Sequence, residues 1–460
     1  MFKYQPLAAA IIALASMQVL ADDSLSTQTQ NGVENVAEVQ QAVAAFSTAT
    51  QHQTGDGNDA YADQANGIGT ITQTQEGEYN AATGVQNTET EGQINHLQGG
   101  EWNSAYSEQW FGQNTAANVT QDGSYNAAMT FQDSQVASTI NITQGDSENR
   151  ADAEQLFGEG NVTTITQGGT GNQAGTWQVD QSGGTIDIQQ SGELNETYVD
   201  QSLGSDNQAD VFQSGDSGYV EVWQSEQEGS RAEVEQGGGA LNELVVDQSI
   251  GANNLATMTQ SGNTNAAWAD QFEAYDSTTT VTQTGDSNLA LTYQTGDAQS
   301  LTVTQTGNDN NVLANTWQAP QGGTGQAGND QIAELTQNGN GNTASFSQAG
   351  NFNELYFGQE GDDNTLVVAQ SDGGNLAQGS SVGDGNSVEV DQSGSGNQTN
   401  ILQSGGGDNI ASVTQADMNN IALVTQVGWS NQATVNQSAL NQNATVDQTG
   451  TGNRATVVQQ

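Results

Sequence analysis

Residues 448–459 read Gln-Thr-Gly-Thr-Gly-Asn-Arg-Ala-Thr-Val-Val-Gln, and residues 426–437 read Gln-Val-Gly-Trp-Ser-Asn-Gln-Ala-Thr-Val-Asn-Gln. Both spell Q-x-G-x-x-N-x-A-x-V-x-Q. Asn, Ala, Val and Gln fall at offsets 5, 7, 9 and 11 from the first Gln. That is a period of two, so all four side chains point to one face of a β-strand. The glycine after each opening Gln supplies turn chemistry.

The spacing extends through the chain. Steps of 11 or 12 residues, occasionally 13, lead back from Gln459 through Gln448, Gln437 and Gln426 as far as Gln53 and Gln41. Of 37 strand-closing positions 36 are Gln, and Ser381 is the exception. Two steps make a strand-turn-strand-turn unit of 22–23 residues, as in Gln75, Gln98, Gln121 and Gln144. Such a unit has too little material to bury its own face, but a stack of them buries a continuous core. The expected fold is therefore all-β: a β-solenoid of about 18 rungs, each rung contributing two strands.

The facing strands are complementary in size. Asn126, Ala128 and Thr130 are followed by Ser138, Ile140 and Ile142. An inward Gln or Asn must satisfy both donors and an acceptor, and an in-register ladder of identical residues does so. The candidate ladder residues at the two ends of the array are Gln41 and Gln53, then Asn431, Gln437, Gln448, Asn453, Val457 and Gln459. The strand ending at Gln459 keeps the whole pattern, so a rung from a second molecule could continue it head to tail.

Composition limits the remaining possibilities. The 460 residues hold 54 Asp and Glu against 4 Lys and Arg, a net charge of −50. That excludes a nucleic-acid backbone or an anionic membrane surface as the main partner. Hydrophobic residues are 33%, too few for the two to four ordinary domains that the length would allow. There is no Cys, and the only histidines are His52 and His96. No nucleophile–base pair, phosphate loop or metal-ligand cluster is legible, so no enzyme activity, cofactor or metal is expected.

Residues 1–21 differ from the rest. Lys3 precedes an apolar run from Leu7 to Leu20, and Val19-Leu20-Ala21 ends on a small residue before Asp22. This reads as a cleaved secretory signal. The run is too short for a membrane span, and no later stretch is longer. Residues 22–318 and 337–460 form repeat blocks. Between them, 319–336 is expected to be irregular, with Pro320 and the Gly322-Gly323-Thr324-Gly325 cluster in a loop over 319–330 and a strand restarting after it.

One outward column alternates acid and aromatic: Glu108, Phe131, Glu154, Trp177, Asp200, Trp223 and Asp247. Acids in every second rung lie roughly 10 Å apart, about a Debye length, which spares the column its worst repulsion.

The doubled unit Q-x-G-x-x-N-x-A-x-x-x-Q behind a secretory signal resembles the curlin repeat over about residues 30–460. Curlins are subunits of curli, the bacterial extracellular amyloid fibres of biofilm matrix. The resemblance implies secretion to the bacterial cell surface through a dedicated outer-membrane pore. It also implies polymerisation from a nucleator subunit into fibres that serve adhesion and aggregation. This chain is longer and far more acidic than familiar curlins. The alternative is a soluble acidic solenoid, either an adhesin or a calcium-binding surface protein using turns such as Gly55-Asp56-Gly57-Asn58 and Gly361-Asp362-Asp363-Asn364. An ice-binding face is a weaker match, because the Thr278-Thr280-Thr282 pattern does not persist.

Overall fold

The computed structural model describes residues 23–320 and 322–460; the expected signal segment, residues 1–21, lies outside them. The described residues form 39 strands and no helix. Consecutive strands belong to opposite sheets, except Asn311–Ala314 and Gly325–Asn329, which lie in one sheet. Each pairs in parallel with the strand one rung earlier and the strand one rung later, as Gln432–Gln437 does with Ile410–Gln415 and Arg454–Gln459. One sheet contains 19 strands, from Leu25–Asn31 to Asn443–Thr451. The facing sheet runs from Val36–Ala42 to Arg454–Gln459 at matching levels. The fold is thus a two-sheet β-solenoid, with one rung beyond the expected 18. Leu25–Asn31 completes the extra rung by placing Gln30 opposite Gln53.

Side-chain alternation decides which way each strand faces. In Gln432–Gln437 the residues Ala433, Val435 and Gln437 are buried while Gln432, Thr434 and Asn436 are exposed. The interior is a strip only two side chains thick. Ala128 and Thr130 in one sheet accompany Ile140 and Ile142 in the other, and all four are buried. Small residues against large ones keep the sheet separation constant along the stack. The register never slips in a way that turns a face outward: apart from Ser381, the rungs place Gln opposite Gln, as in Gln283↔Gln305 and Gln271↔Gln294.

The irregular segment differs from its expected position. The strand that begins at Asn311 stops at Ala314, and its continuation is Gly325–Asn329. Both pieces pair with Leu289–Asp297 on one side and Thr343–Asn351 on the other. The excursion is therefore 315–324, inserted inside one strand, rather than a loop over 319–330. Gln318 lies in the excursion, and Gln326 takes the ladder place opposite Gln294 and Gln348. Pro320 has no N–H to give a strand, so the chain returns to the sheet only after the glycines. The opposite sheet runs past the insertion without a break, Ser300–Thr306 pairing with Ile332–Asn338.

At about 4.8 Å per rung the stack is a rod of about 90 Å. Small-angle scattering of the monomer should give that length, and circular dichroism of residues 22–460 should show strand without substantial helix. A compact sphere or a strong helical signal would be incompatible with the solenoid.

Candidate functional site

The chemistry of this chain lies in its buried amides. Gln437 is fully buried; its Nε2 donates to Oε1 of Gln459 at 2.8 Å, and its own Oε1 accepts from Gln415 Nε2 at 2.8 Å. The second proton of Gln437 Nε2 goes to the Ile421 carbonyl at 3.1 Å. A carbonyl only accepts, so this contact fixes which end of the amide carries nitrogen. Gln41 heads the same column and donates to Gln64 at 2.8 Å. Gln53 and Gln448 belong to the other sheet's column: Gln53 accepts from Gln30 and donates to Gln75, both at 2.8 Å, and Gln448 accepts from Gln426 at 2.9 Å. In each of these links the nitrogen donates toward the C-terminal neighbour.

The asparagine ladder explains the rest of the motif. Asn431 Oδ1 accepts from the backbone N–H of Asn453 at 3.1 Å and from its Nδ2 at 2.9 Å. Asn431 Nδ2 donates to the Gly450 carbonyl at 3.0 Å. Asn431 thus clasps the turn of the next rung, as Asn409 does through the Gly428 carbonyl at 2.8 Å, whereas Asn386 Nδ2 has no partner. The glycine of Q-x-G is needed where these turns stack. Gly428 has φ +115°, and a Cβ there would lie 2.1 Å from the Gly450 carbonyl oxygen. Val457 packs against the end of the apolar core, half-buried.

Ser381, the exception, keeps half the link. Its Oγ donates to Gln403 Oε1 at 2.7 Å. Its strand also carries Gly379 opposite Phe357, so a large inward ring is accompanied by two small residues in the next rung.

The acidic turns have a structural use. Asp56 Oδ1 accepts from the Val33 N–H at 2.9 Å, and Asp362 Oδ1 accepts from the Asn340 N–H at 2.8 Å. Turn carboxylates therefore satisfy backbone donors of the neighbouring rung. Among the described residues no three His, Asp or Glu side chains converge as a metal site.

His96 was not singled out by the sequence pattern. It occupies the inward position opposite Gln73, fully buried, with Nε2 2.7 Å from Ser107 Oγ and Nδ1 without a partner. Burial lowers its pKa to about 3. The folded pKa lies below the unfolded value, so unfolded chains bind the extra proton between about pH 6.5 and 3, and stability is lost as pH falls through that window. The loss attributable to His96 is about 1.4 kcal/mol per pH unit.

Two expectations follow. Replacing His96 by Gln should raise the urea midpoint relative to the wild type by an amount that grows below pH 6.5; a pH-independent difference would mean that His96 is not buried neutral. Gln283→Leu breaks two buried links, from Gln260 and to Gln305. It should cost about 2–4 kcal/mol in denaturant unfolding, because unpartnered buried amides lose their hydrogen bonds without regaining water. A cost below about 0.5 kcal/mol would show that the ladder contributes little.

The family model of the curlin associated repeat matches residues 185–215, 251–285 and 274–307. No curated protein matches the chain. The matched stretches contain the same Gln-to-Gln rungs described above, including Gln190 to Gln213 and Gln260 to Gln283. Over these stretches the chain carries curlin associated repeats.

Proposed function

We propose that this chain is secreted and assembles head to tail into extracellular cross-β fibres of the curli type, serving adhesion and aggregation at a bacterial cell surface. The observation that carries the reading is the polarity of the ladders. Gln448 and Gln459 occupy the last described rung with their Nε2 groups in the direction that elsewhere meets another Gln. Gln30 and Gln41 occupy the first described rung, donate inward to Gln53 and Gln64, and leave Oε1 facing outward. The Asn ladder runs with the complementary sense: Asn453 offers Oδ1, and Asn35 offers a backbone N–H. One end thus offers Gln donors and an Asn acceptor, and the other offers Gln acceptors and an N–H donor. Head to tail, every group meets its complement; head to head, Gln donors face donors.

The alternative, a soluble solenoid acting as an adhesin or calcium-binding protein, draws less support, since the turn carboxylates already serve neighbouring N–H groups. Further partners follow from the curlin reading: an outer-membrane export pore and a nucleator subunit.

The net charge of −50 opposes contact between chains. Assembly should shorten its lag as salt rises to about 0.5 M, where the Debye length falls well below 10 Å. A lag that is flat across that range would remove electrostatic repulsion as the brake. Val457→Asp tests the joining surface. In the monomer the new carboxylate stays hydrated at the last rung, but between chains it would be buried without a partner. Thioflavin-monitored elongation should slow at least tenfold with monomer strand content unchanged. Elongation at the wild-type rate would exclude this rung from the joint.

A further inference from the structure

The insertion at 315–324 makes the solenoid's outer face concave over two half-buried carboxylates. Gly323 N–H donates to the Leu313 carbonyl at 2.8 Å, and a Cβ on Gly322 would lie 2.8 Å from Leu313 Cβ, so the loop lies against that strand. Leu291, outward by alternation and opposite Leu313 in the register, is only 6% exposed. Trp317, by contrast, is 84% exposed. An aromatic ring held out on a loop whose base is fixed has no packing role in this chain.

Trp317 and Gln318 wall a pocket of about 460 Å³ whose other lining residues are Asp247, Asp270, Phe272 and Tyr293. Asp247 and Asp270 are register partners on adjacent strands. From Glu108 to Tyr293 this outward column otherwise keeps its acids apart with Phe131, Trp177 and Trp223. Here the spacing rule is broken, and the insertion sits over the break. Burial and the charge of Asp247 push Asp270 up to about 7. Gln318 Oε1 is buried without a hydrogen-bond partner. None of the lining residues is a cation.

The pocket therefore presents two carboxylates, an unpartnered amide oxygen and three aromatic rings, and no positive charge. We propose that it binds a small organic ammonium ion, with Asp247 and Asp270 facing the charge and Trp317, Tyr293 and Phe272 against its carbon substituents. Aromatic faces attract such cations, most strongly when the contact is desolvated. The volume falls in the range of small-ligand sites. The inference is independent of fibre assembly and concerns the soluble chain.

The strongly acidic surface attracts any cation, so the test must separate the pocket from the general field. Choline, butylammonium and the neutral choline isostere 3,3-dimethylbutan-1-ol would be titrated into monomeric protein at 0.15 and 0.5 M NaCl, with binding read by ligand-observed NMR and calorimetry. Trp317→Ala leaves the net charge unchanged, and Trp317→Phe restores a ring. At least one ammonium should bind at both salt concentrations, at least tenfold tighter than the isostere. Trp317→Ala and the double variant Asp247→Asn/Asp270→Asn should each lose at least tenfold, and Trp317→Phe should recover most of the loss. Circular dichroism of each variant would verify the fold. Binding that vanishes at 0.5 M NaCl, binding equal in Trp317→Ala, or equal affinity for the isostere would each overturn the proposal.

Discussion

A primary amide removed from water must find partners for two protons and an oxygen. Here that requirement is met by a copy of the same residue one rung away. Gln283 takes a bond from Gln260 at 2.7 Å and gives one to Gln305 at 2.8 Å. The remaining proton goes to the Ala266 carbonyl of the facing sheet at 3.0 Å. The arrangement works only if successive rungs hold Gln at the same height and in the same orientation. Register, strand length and turn length are all subordinate to it, because a one-residue slip would expose the amides and bury the outward acids.

The same constraint explains how so polar a chain has an ordered interior. The apolar strip of Ala, Val and Ile is narrow, and the amide ladders on its flanks satisfy themselves within the stack. It also explains the excess charge. Outward positions carry little packing duty and can hold acids, whose repulsion is spread along the rod rather than concentrated at one site. Burial nevertheless raises several of them, Asp200, Asp247 and Glu154 among them, above the usual carboxylate range. Folded-state pKa values above the unfolded ones mean that these carboxylates weaken the fold as pH rises through their titration. Protonating these carboxylates in mild acid therefore stabilises the monomer, in opposition to the loss at His96, and reduces repulsion between monomers.

Much of this was legible because the repeat is written in residue identity. Gln, Asn and Gly recur at fixed offsets, and period-two alternation assigns their faces. The insertion was placed imperfectly. Gln318 keeps a plausible distance from Gln305, and linear spacing cannot reveal that the strand resumes at Gly325 with Gln326 in the ladder. A second pattern spans two rungs and escapes a one-rung reading: Gln135, Gln181 and Gln227 stand opposite Gly158, Gly204 and Gly251 in the register. A Cβ on Gly158, Gly204 or Gly251 would lie 2.1, 2.2 or 1.9 Å from the carbonyl oxygen of Gln181, Gln227 or Ala274 in the following rung. Tyr79, Trp102 and Tyr125 occupy turn positions with positive φ and stack at 4.5 and 6.3 Å between ring centroids. Their spacing is visible in sequence, but their left-handed backbone is not. His96 and the pocket beneath Trp317 depend on what neighbouring rungs supply, which no single repeat records.

Hydrogen exchange of side-chain amides tests the central claim most directly. With glutamine labelled at Nε2 in the monomer, the ladders require that the side-chain protons of the buried ladder Gln between Gln53 and Gln437 exchange as slowly as the strand backbone around them. Gln460, outside the ladder, should exchange at the rate of a free amide. Exchange of the ladder glutamines as fast as Gln460, with the backbone still protected, would mean that the strands form without the ladders and would contradict the account.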